Sequence, residues 1–528
     1  MADITMLIEG AYPYVSGGVS SWVHALLTNL PDFTFDITHI GVLASDHEQK
    51  DGGRRRKQKG KFDAHRPMKY RLPDNVVDFH NCFIDEKGKT GRRRHTAAQP
   101  DAWNQFARFH EAVAFGKPYD IGDFAPLMAG SGFAGLTAKD IFHSRQSWEM
   151  LTAIYQQHAA EQSFVDFFWT FRLTYWRLFA LLEADVPGAS IYHAVSTGFA
   201  GFMGALAKLR NGGSLIVTEH GIYTREREIE IMQAEWIHQN RSHDYRLKER
   251  LGFFQTWWLN LFRFMERLTY ECADAVVSIN RVNQEYQMNP RHLPDAHPEK
   301  MLEKMQLIPN GVNTERLAQL PRKQIDSADP FTVGFVGRVV SIKDVKTFIR
   351  AVKIAGEQIP NLKVRIIGPT DEERDYFQEC CRLVEMLELT SIVHFDGPRD
   401  VNEVYPQLDV LALTSLSEGQ PLVILEGNGA GLPVVATDVG GCRELLEGVA
   451  GNAEDQALGQ SGIITPVSSP DMTAAALIRL WRDPELRRRM GDIGRERVQR
   501  FYRQDDLYSA YRTLYQNHLA SAGARKVV

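Results

Sequence analysis

The sequence has few cysteines and no long hydrophobic run, and both absences exclude classes of protein. Its 528 residues include five cysteines, an odd number, with no C-x-x-C spacing. This argues against a disulfide framework or a zinc site and favours a reducing compartment. No run of about 18 apolar residues occurs, so no transmembrane helix is expected. The first six residues lack a basic segment followed by an apolar one, so no signal peptide is expected either. We therefore predict a cytoplasmic protein.

A large charge of one sign is also missing. The formal net charge is -5, with 24% charged and 44% apolar residues. This balance gives no reason to expect nucleic acid as a partner, and the apolar content and length predict two or more domains. The chain contains no Asp-x-Asp triplet. That absence fits a site whose positive charges come from side chains and not from a metal ion.

The regular pattern that is present alternates strands with helices in both halves. A strand at 4–8, a glycine-rich loop, a helix at 19–30 and a strand at 35–42 open the chain as a βαβ unit. Further strands are predicted at 189–193, 214–220, 275–279, 305–312, 331–336, 364–367, 392–395, 410–413 and 433–436. The fold class is therefore α/β, with two doubly wound Rossmann-like domains, and we expect the active site in a cleft between them.

The predicted domains are unequal. The first covers 1–325, the second 326–503, and a helix at 504–528 is expected to cross back to the first domain. Residues from about 44 to 126 are charged, arginine-rich and weakly periodic. We interpret them as a solvated, partly disordered insertion, with contact to anionic lipid or an acidic partner as the alternative.

Two aromatic-rich helices, at 164–182 and 253–270, admit two interpretations. Their rings pack in the core, or they form a docking surface for a membrane protein. Exposure of the rings as a patch would favour the second interpretation.

Two motifs have the character of anion sites. Gly17 and Gly18 stand between a strand and a helix, where backbone N–H groups can approach an anion. Arg338 and Lys343 stand five apart just after a strand. A nucleoside diphosphate gains charge as it leaves a sugar, and two fixed cations would stabilise that charge.

The strongest motif is a pair of glutamates around a helix start. Glu418 is predicted in the loop after a strand, and Glu426 inside the next helix. A loop carboxylate can hold sugar hydroxyls, and a carboxylate within the helix can hold a ribose diol. The N–H groups near Leu422 and Val423 would suit a phosphate.

Two histidines, His193 and His220, each stand at the end of a predicted strand, and the glycine pair at 440–441 follows another. Since parallel strands end at one edge of a sheet, both histidines are candidate active-site residues.

Together these residues resemble the retaining GT-B glycosyltransferases of family GT4. The motifs are Gly17-Gly18, residues 308–313, Arg338 with Lys343, Glu418 with Glu426, and residues 433–441. Residues 9–22 and 218–223 are similar to the PelF family, the soluble glycosyltransferases of Pel exopolysaccharide systems.

The resemblance implies a GT-B fold, with the acceptor on the first domain and the nucleotide-sugar on the second. It implies that Arg338 and Lys343 bind the diphosphate, Glu418 the donor sugar and Glu426 the ribose. The remaining residues implied are Gly18 at the phosphate, Pro398 and Arg399 at the base, and either His193 or His220 near the sugar. Where the family has Phe and Gly after Glu-Gly, this chain has Gln420 and Pro421.

The implied reaction moves a hexose, without a metal or other cofactor, from UDP-glucose, UDP-GlcNAc or UDP-GalNAc to a growing polysaccharide. The implied partners are inner-membrane polysaccharide synthase and export proteins, which would place the chain at the membrane periphery. Two other functions remain open: a nucleotide-sugar epimerase on the same fold, and a non-catalytic subunit that holds nucleotide-sugar for a membrane synthase.

Overall fold

The chain folds into two compact units. The computed structural model describes residues 2–15, 17–41, 68–84, 101–128, 132–233, 251–289, 298–323 and 329–525. The first unit comprises Met1–Val277, Met288–Gln306 and Arg512–Val528, and the second comprises Ser278–Gln287 and Leu307–Tyr511. Along the chain, the second unit thus resumes at Leu307, inside the strand Met305–Leu307, and the domain boundary at 325/326 remains an expectation. The cleft expected between two domains stays a prediction.

Each unit is built on one sheet. The strands are β1 Ile4–Glu9, β2 Phe35–Gly41, β3 Val76–Phe83, β4 Ile191–Ala194, β5 Ser214–Glu219, β6 Ala275–Ser278, β7 Met305–Leu307, β8 Phe331–Val336, β9 Leu362–Ile367, β10 Val393–Gly397, β11 Val410–Leu413, β12 Val434–Thr437 and β13 Gly462–Thr465. Among the described residues the first sheet has the order β3-β2-β1-β4-β5-β6-β7 and the second β10-β9-β8-β11-β12-β13.

Helices connect the strands. They are α1 Gly18–Asn29, α2 Ala102–Phe115, α3 Ile121–Leu127, α4 Ala138–His143, α5 Arg145–His158, α6 Phe164–Leu182, α7 Phe199–Asn211, α8 Tyr223–Gln233, α9 Phe253–Cys272, α10 Arg281–Gln287, α11 Pro298–Lys304, α12 Thr314–Ala318, α13 Val345–Gly356, α14 Arg374–Met386, α15 Val401–Val404, α16 Leu422–Gly429, α17 Cys442–Glu447, α18 Ala453–Ala457, α19 Pro470–Arg482, α20 Pro484–Phe501 and α21 Gln504–Arg525.

Both sheets are doubly wound. In the first, β1 pairs in parallel with β2 on one side and with β4 on the other. In the second, β8 pairs in parallel with β9 and with β11. The strand order therefore reverses beside β1 and beside β8, and such switch points are where open α/β sheets bind ligands. The predicted α/β class with two Rossmann-like domains is confirmed.

The region from 44 to 126 differs from the expected irregular insertion. Residues 42–67 and 85–100 lie outside the described structure. Strand β3 pairs in parallel with β2, however, and α2 buries Phe106 and Phe109 in the core of the first unit. The alternating pattern of β3 is weak because this strand is at an edge and mostly half-exposed, so it lacks the apolar run that marks a central strand.

The two aromatic-rich helices differ in how far their apolar side chains are buried. The rings of α9, including Trp257 and Trp258, are buried, which confirms the core interpretation for this helix. Helix α6 buries one face but leaves Val165, Trp169 and Leu173 exposed.

The C-terminal helix α21 begins at Gln504, as predicted, and its residues from Arg512 onward belong to the first unit. There the ring of Tyr515 is buried against Phe33 and Phe35. Across the part of the chain that the structure describes, none of the helices combines the length and apolar character needed to cross a bilayer.

Candidate active site

In the second unit, the loop after β8 carries the predicted arginine and lysine. Its path is fixed by glycine: a Cβ on Gly368, in the neighbouring loop after β9, would lie 1.9 Å from the Gly337 carbonyl oxygen. Arg338 follows at once, and its Nη1 donates to both carboxylate oxygens of Glu372 at 2.6 and 2.7 Å. Glu373 accepts the Ser341 N–H at 2.9 Å. The loop after β9 thus orients the loop after β8.

Lys343 and Glu418 meet directly. Lys343 ends a short 3₁₀ turn after β8, Glu418 stands in the loop after β11, and the Nζ–Oε1 distance is 2.5 Å. The Ser415 hydroxyl donates to the same Oε1 at 2.5 Å. The lysine and glutamate side chains are only 17% and 11% exposed, so the two charges neutralise each other in a largely desolvated place.

A glycine shapes the loop that carries Glu418. Gly440 has φ +51°, and a Cβ there would lie 2.0 Å from the Glu418 carbonyl oxygen. The next residue, Gly441, donates its N–H to the Gly419 carbonyl at 2.7 Å. The glycine pair that follows β12 therefore packs directly against the backbone of the Glu418 loop. Only a residue without a side chain lets the two backbones come this close.

Glu426 lies inside α16, as predicted, and its carboxylate accepts the Tyr405 hydroxyl at 2.8 Å. Burial raises the pKa of Glu426 above its ordinary value, partly opposed by the Tyr405 hydrogen bond and by the nearby Arg316 charge. Helix α16 begins at Leu422 with Pro421 as its N-cap. The N–H groups of Leu422 and Val423 are thus in the first turn, where an α-helix supplies no acceptor for them.

Pro398 and Arg399 follow β10 at the same carboxyl edge of the sheet. Both are exposed, and β10 is separated from β8 by β9. The structure thus brings Lys343 and Glu418 into contact, with Arg338 on the same loop as Lys343. Pro398 and Arg399 lie further along the same edge of the sheet.

Gln420 stands where the GT4 family has phenylalanine, and its contacts explain the difference. The Gln420 side chain is buried, its Oε1 accepts the Asn310 N–H at 2.6 Å, and the Asn310 amide donates back to the Gln420 carbonyl at 3.4 Å. Gln420 therefore ties the Glu418 loop to the loop after β7.

In the first unit, Gly17 and Gly18 precede and begin helix α1, next to the switch-point strand β1. One turn further along α1, the Trp22 ring meets His220 edge-on, with 4.4 Å between centroids. His220 follows β5 directly. Both of its ring nitrogens are buried without a hydrogen-bond partner among the described residues, and burial lowers the pKa of His220 to about 4.

His193, within β4, has a different environment. Its Nδ1 lies 2.7 Å from the Tyr515 hydroxyl, and its Nε2 lies 2.8 Å from the Thr218 hydroxyl. Burial lowers the pKa of His193 to about 3. Both nitrogens of His193 are engaged by the protein, whereas those of His220 are available to a ligand, so the geometry favours His220 over His193 as a ligand contact.

A second buried polar group without a hydrogen-bond partner among the described residues follows the strand next to that of His220. The β4–β5 register pairs Ala194 with Val217, so the loop residue Ser196 and His220 follow adjacent strands at nearly the same level. The Ser196 hydroxyl is buried and has no partner within the described ranges. Native proteins rarely leave such groups unsatisfied, because each costs about 1–3 kcal/mol.

Two glutamates of the first unit have pKa values raised by burial. Glu9, at the end of β1, accepts the Phe199 N–H at 2.9 Å and the Tyr223 hydroxyl at 2.8 Å. Burial raises the pKa of Glu9. Glu266 has a pKa raised to about 8, first by burial and then by the negative charge of Glu219. Glu9 therefore holds the first turn of α7 in place, since its carboxylate caps an N–H there.

Comparison with known proteins identifies both parts of the chain. A family model described as "Domain of unknown function (DUF3492)" matches residues 2–52 and 58–291, more than half of the chain. The chain belongs to this family. A second model, "Glycosyl transferases group 1", matches residues 319–497. The DUF3492 region thus contains both histidines and Gly17-Gly18. The group 1 glycosyltransferase domain contains Arg338, Lys343, Glu418 and Glu426.

Curated relatives match in part. The D-inositol 3-phosphate glycosyltransferase of Corynebacterium jeikeium (strain K411) is 28% identical over 235 residues, which are 42% of this chain and 53% of that protein. The chain therefore spans about half the length of the curated relative it matches.

Two solved structures match almost end to end. Sucrose-phosphate synthase from Thermosynechococcus elongatus has a TM-score of 0.55 at 16% identity, covering 98% of this chain and 99% of that one. Anabaena Alr3699/HepE in complex with UDP-glucose has a TM-score of 0.54 at 15% identity, with coverage of 98% and 99%. At these identities the likeness concerns the fold, which is GT-B as expected.

Proposed function

We propose that this chain is a retaining glycosyltransferase that moves a hexose from a UDP-sugar to a growing exopolysaccharide of the Pel type, without a metal ion. The observation that carries the proposal is the Lys343–Glu418 pair, with Arg338 on the same loop, at the switch point of a group 1 glycosyltransferase domain. Two cations and a carboxylate at this edge suit a diphosphate-linked sugar. The solved relative in complex with UDP-glucose supports the choice of a uridine nucleotide.

The charges would act by exchange of partners. When UDP-sugar binds, its diphosphate takes the place of Glu372 at Arg338 and shares Lys343 with Glu418. Glu418 then accepts hydrogen bonds from sugar hydroxyls, while Glu426 holds the ribose diol with Tyr405 as its support. Since both cations neutralise charge that grows on the leaving phosphate, they stabilise the transition state more than the bound donor.

In the retaining reaction, the bond between the sugar C1 and the β-phosphate oxygen breaks as the acceptor oxygen bonds to C1 on the same face. The acceptor proton passes to the departing phosphate oxygen, so no protein nucleophile is needed. His220 and Ser196 are the proposed contacts for sugar or acceptor hydroxyls, because each offers a buried polar atom without a hydrogen-bond partner among the described residues.

The test combines a panel of UDP-sugars with two variants. Arg338→Ala and Lys343→Ala should each lower transfer by roughly 100-fold or more, while UDP still binds weakly. Lys346→Ala is the matched control: it removes a nearby surface cation that pairs with Glu379. Transfer should continue in excess EDTA. Full activity in either variant, or strict dependence on Mg²⁺, would contradict the proposal.

Lys343→Ala leaves Glu418 without a counter-ion, so folding is measured in parallel by thermal unfolding. The double variant Lys343→Ala/Glu418→Gln removes both charges and should fold like the parent yet remain inactive. NMR of UDP-sugar with protein alone distinguishes the epimerase, which would form an epimer without acceptor. A non-catalytic subunit would release no UDP with any acceptor.

A further inference from the structure

Helices α4, α5 and α6 of the first unit carry an exposed apolar surface that the proposed reaction does not use. Val165, Trp169 and Leu173 follow one another at one-turn spacing along α6 and are 60%, 55% and 46% exposed, and Trp148 of α5 is 50% exposed. We call these four residues the α5–α6 patch. Exposed apolar side chains grouped in this way mark interaction surfaces, whereas single ones do not.

An arginine stands within a cavity beside the patch. The cavity, of about 350 Å³, is lined by residues that include Phe142, Trp148, Phe168 and Arg172. The Arg172 guanidinium lies 5.1 Å from the Phe142 ring centroid and 5.7 Å from that of Phe168. No carboxylate of the described residues pairs with it. Two aromatic rings therefore hold a half-buried cation that has no counter-ion.

Besides Arg172, one more cation near the patch has no acidic partner among the described residues. Lys139, one turn before His143 on α4, is exposed and unpaired within the described residues. On α5, Arg145 and Glu149 neutralise each other at 2.7 Å. The Asp140 carboxylate is held by the Thr137 hydroxyl in a capping box. Helix α6 contains one acidic residue, Asp166 in its first turn, and two arginines further along.

We propose that the α5–α6 patch docks on an anionic lipid surface, with Arg172 binding a lipid phosphate and the four apolar side chains entering the boundary between headgroups and acyl chains. Tryptophan suits that boundary because its ring is apolar and its N–H is polar. A helix face that combines aromatic and aliphatic side chains with flanking cations is typical of interfacial binding. The occupant is thus a phospholipid headgroup layer and not a nucleotide or a sugar.

The test measures co-sedimentation of the full chain with phosphatidylcholine vesicles, with and without phosphatidylglycerol. We expect binding to the anionic vesicles and little to the neutral ones. Trp148→Gln/Trp169→Gln should weaken binding by roughly 10-fold or more, because two partly inserted rings are lost. Arg172→Gln should weaken it by about 5-fold, with Arg172→Lys retaining most of it.

Met386→Gln/Met472→Gln is the matched control. It replaces two apolar side chains of similar or greater exposure, 72% and 53%, on the second unit, and should leave vesicle binding unchanged. Thermal unfolding shows that each variant is folded. Absence of wild-type binding to anionic vesicles, equal binding to neutral ones, or no effect of the tryptophan variant would each overturn the proposal. Displacement by inorganic phosphate that is independent of the tryptophans would assign Arg172 to free phosphate instead.

Discussion

The two sheets satisfy the charged and polar groups at their carboxyl edges in opposite ways. At the carboxyl edge of the second sheet, cations and acids pair with one another: Lys343 with Glu418, and Arg338 with Glu372. At the same edge of the first sheet, Glu9 accepts hydrogen bonds from a hydroxyl and an N–H, and the His220 ring nitrogens have no hydrogen-bond partner within the described residues. The first edge therefore presents neutral groups, and the second presents paired charges.

This difference teaches which ligand each edge suits. Paired charges can exchange partners, so a charged diphosphate can enter the second site without leaving a buried ion uncompensated. Buried neutral groups without partners gain hydrogen bonds when a hydroxyl-rich ligand binds, and so the first edge suits a sugar. Four experiments test whether the two edges differ in this way.

Gly440→Ala should have the largest effect. The new Cβ would meet the Glu418 carbonyl oxygen at 2.0 Å in a left-handed backbone conformation. We expect a loss of about 3 kcal/mol or more in stability, or a displaced Glu418 loop with donor binding abolished. Gly451→Ala is the control, since Gly451 is also left-handed, at φ +84°, but faces open space. It should cost about 1 kcal/mol, from the backbone alone. Equal effects of the two variants in thermal unfolding would contradict the steric argument.

Glu266→Gln, in helix α9, tests whether Glu266 holds a proton beside the Glu219 carboxylate. The folded pKa of about 8 lies above the ordinary 4.5, so the folded state keeps a proton that the unfolded chain releases between these values. Stability should fall as pH rises through this window, by at most about 1.4 kcal/mol per pH unit for this group, and level off above it. The variant should flatten the decline in denaturant unfolding measured from pH 5 to 9. An unchanged slope would show that Glu266 is ionised in the folded state.

The two histidines should separate stability from activity. His220→Ala should lower transfer by roughly 10- to 100-fold with a smaller loss of stability than His193→Ala, because it removes the ring contact with Trp22 but no hydrogen bond among the described residues. His193→Ala should cost about 2 kcal/mol, because it removes the hydrogen bonds that the buried ring makes with the Tyr515 and Thr218 hydroxyls. The opposite result, a stable but inactive His193 variant, would reverse the assignment.

Glu372→Gln should have the smallest effect. The direction of the change in UDP affinity is what distinguishes the two possible roles of Glu372. Removing the charge frees Arg338, so UDP should bind more tightly, by up to about 5-fold, the limit for a half-exposed ion pair. Glu379→Gln is the control, because it frees Lys346 on α13 instead. Calorimetry of UDP binding measures both variants. Weaker binding in Glu372→Gln would mean that Glu372 orients Arg338 for the ligand and does not compete with it.

Much of the architecture could be predicted because central strands of parallel sheets are buried on both faces and appear as apolar runs. The strands at 331–336 and 410–413 and the helix at 164–182 have the predicted bounds. The edge strands β3 and β13 were missed because one face of an edge strand is solvated and its residues are mixed.

Part of the candidate site could be predicted, because its residues belong to local sequence motifs at the ends of strands. Arg338, Lys343, Glu418 and Glu426 follow strands or lie in the helix after one, and strand ends meet at one edge. Their partners Glu372 and Tyr405 are 34 and 21 residues distant from the groups they contact, and no local pattern marks them. Ser196 was missed because a serine in a loop is common, and only its burial without a partner makes it notable.

The sequence by itself determined the fold class, the cations and acids of the second unit, and the glycines that let loops approach one another, because each depends on local periodicity or on a single residue type. Only the tertiary structure decided that His193 is held by Tyr515 while His220 is available, and that α6 exposes an apolar face while α9 buries its rings. Burial and hydrogen bonding depend on neighbours distant in the chain, and these are known only once the chain has folded.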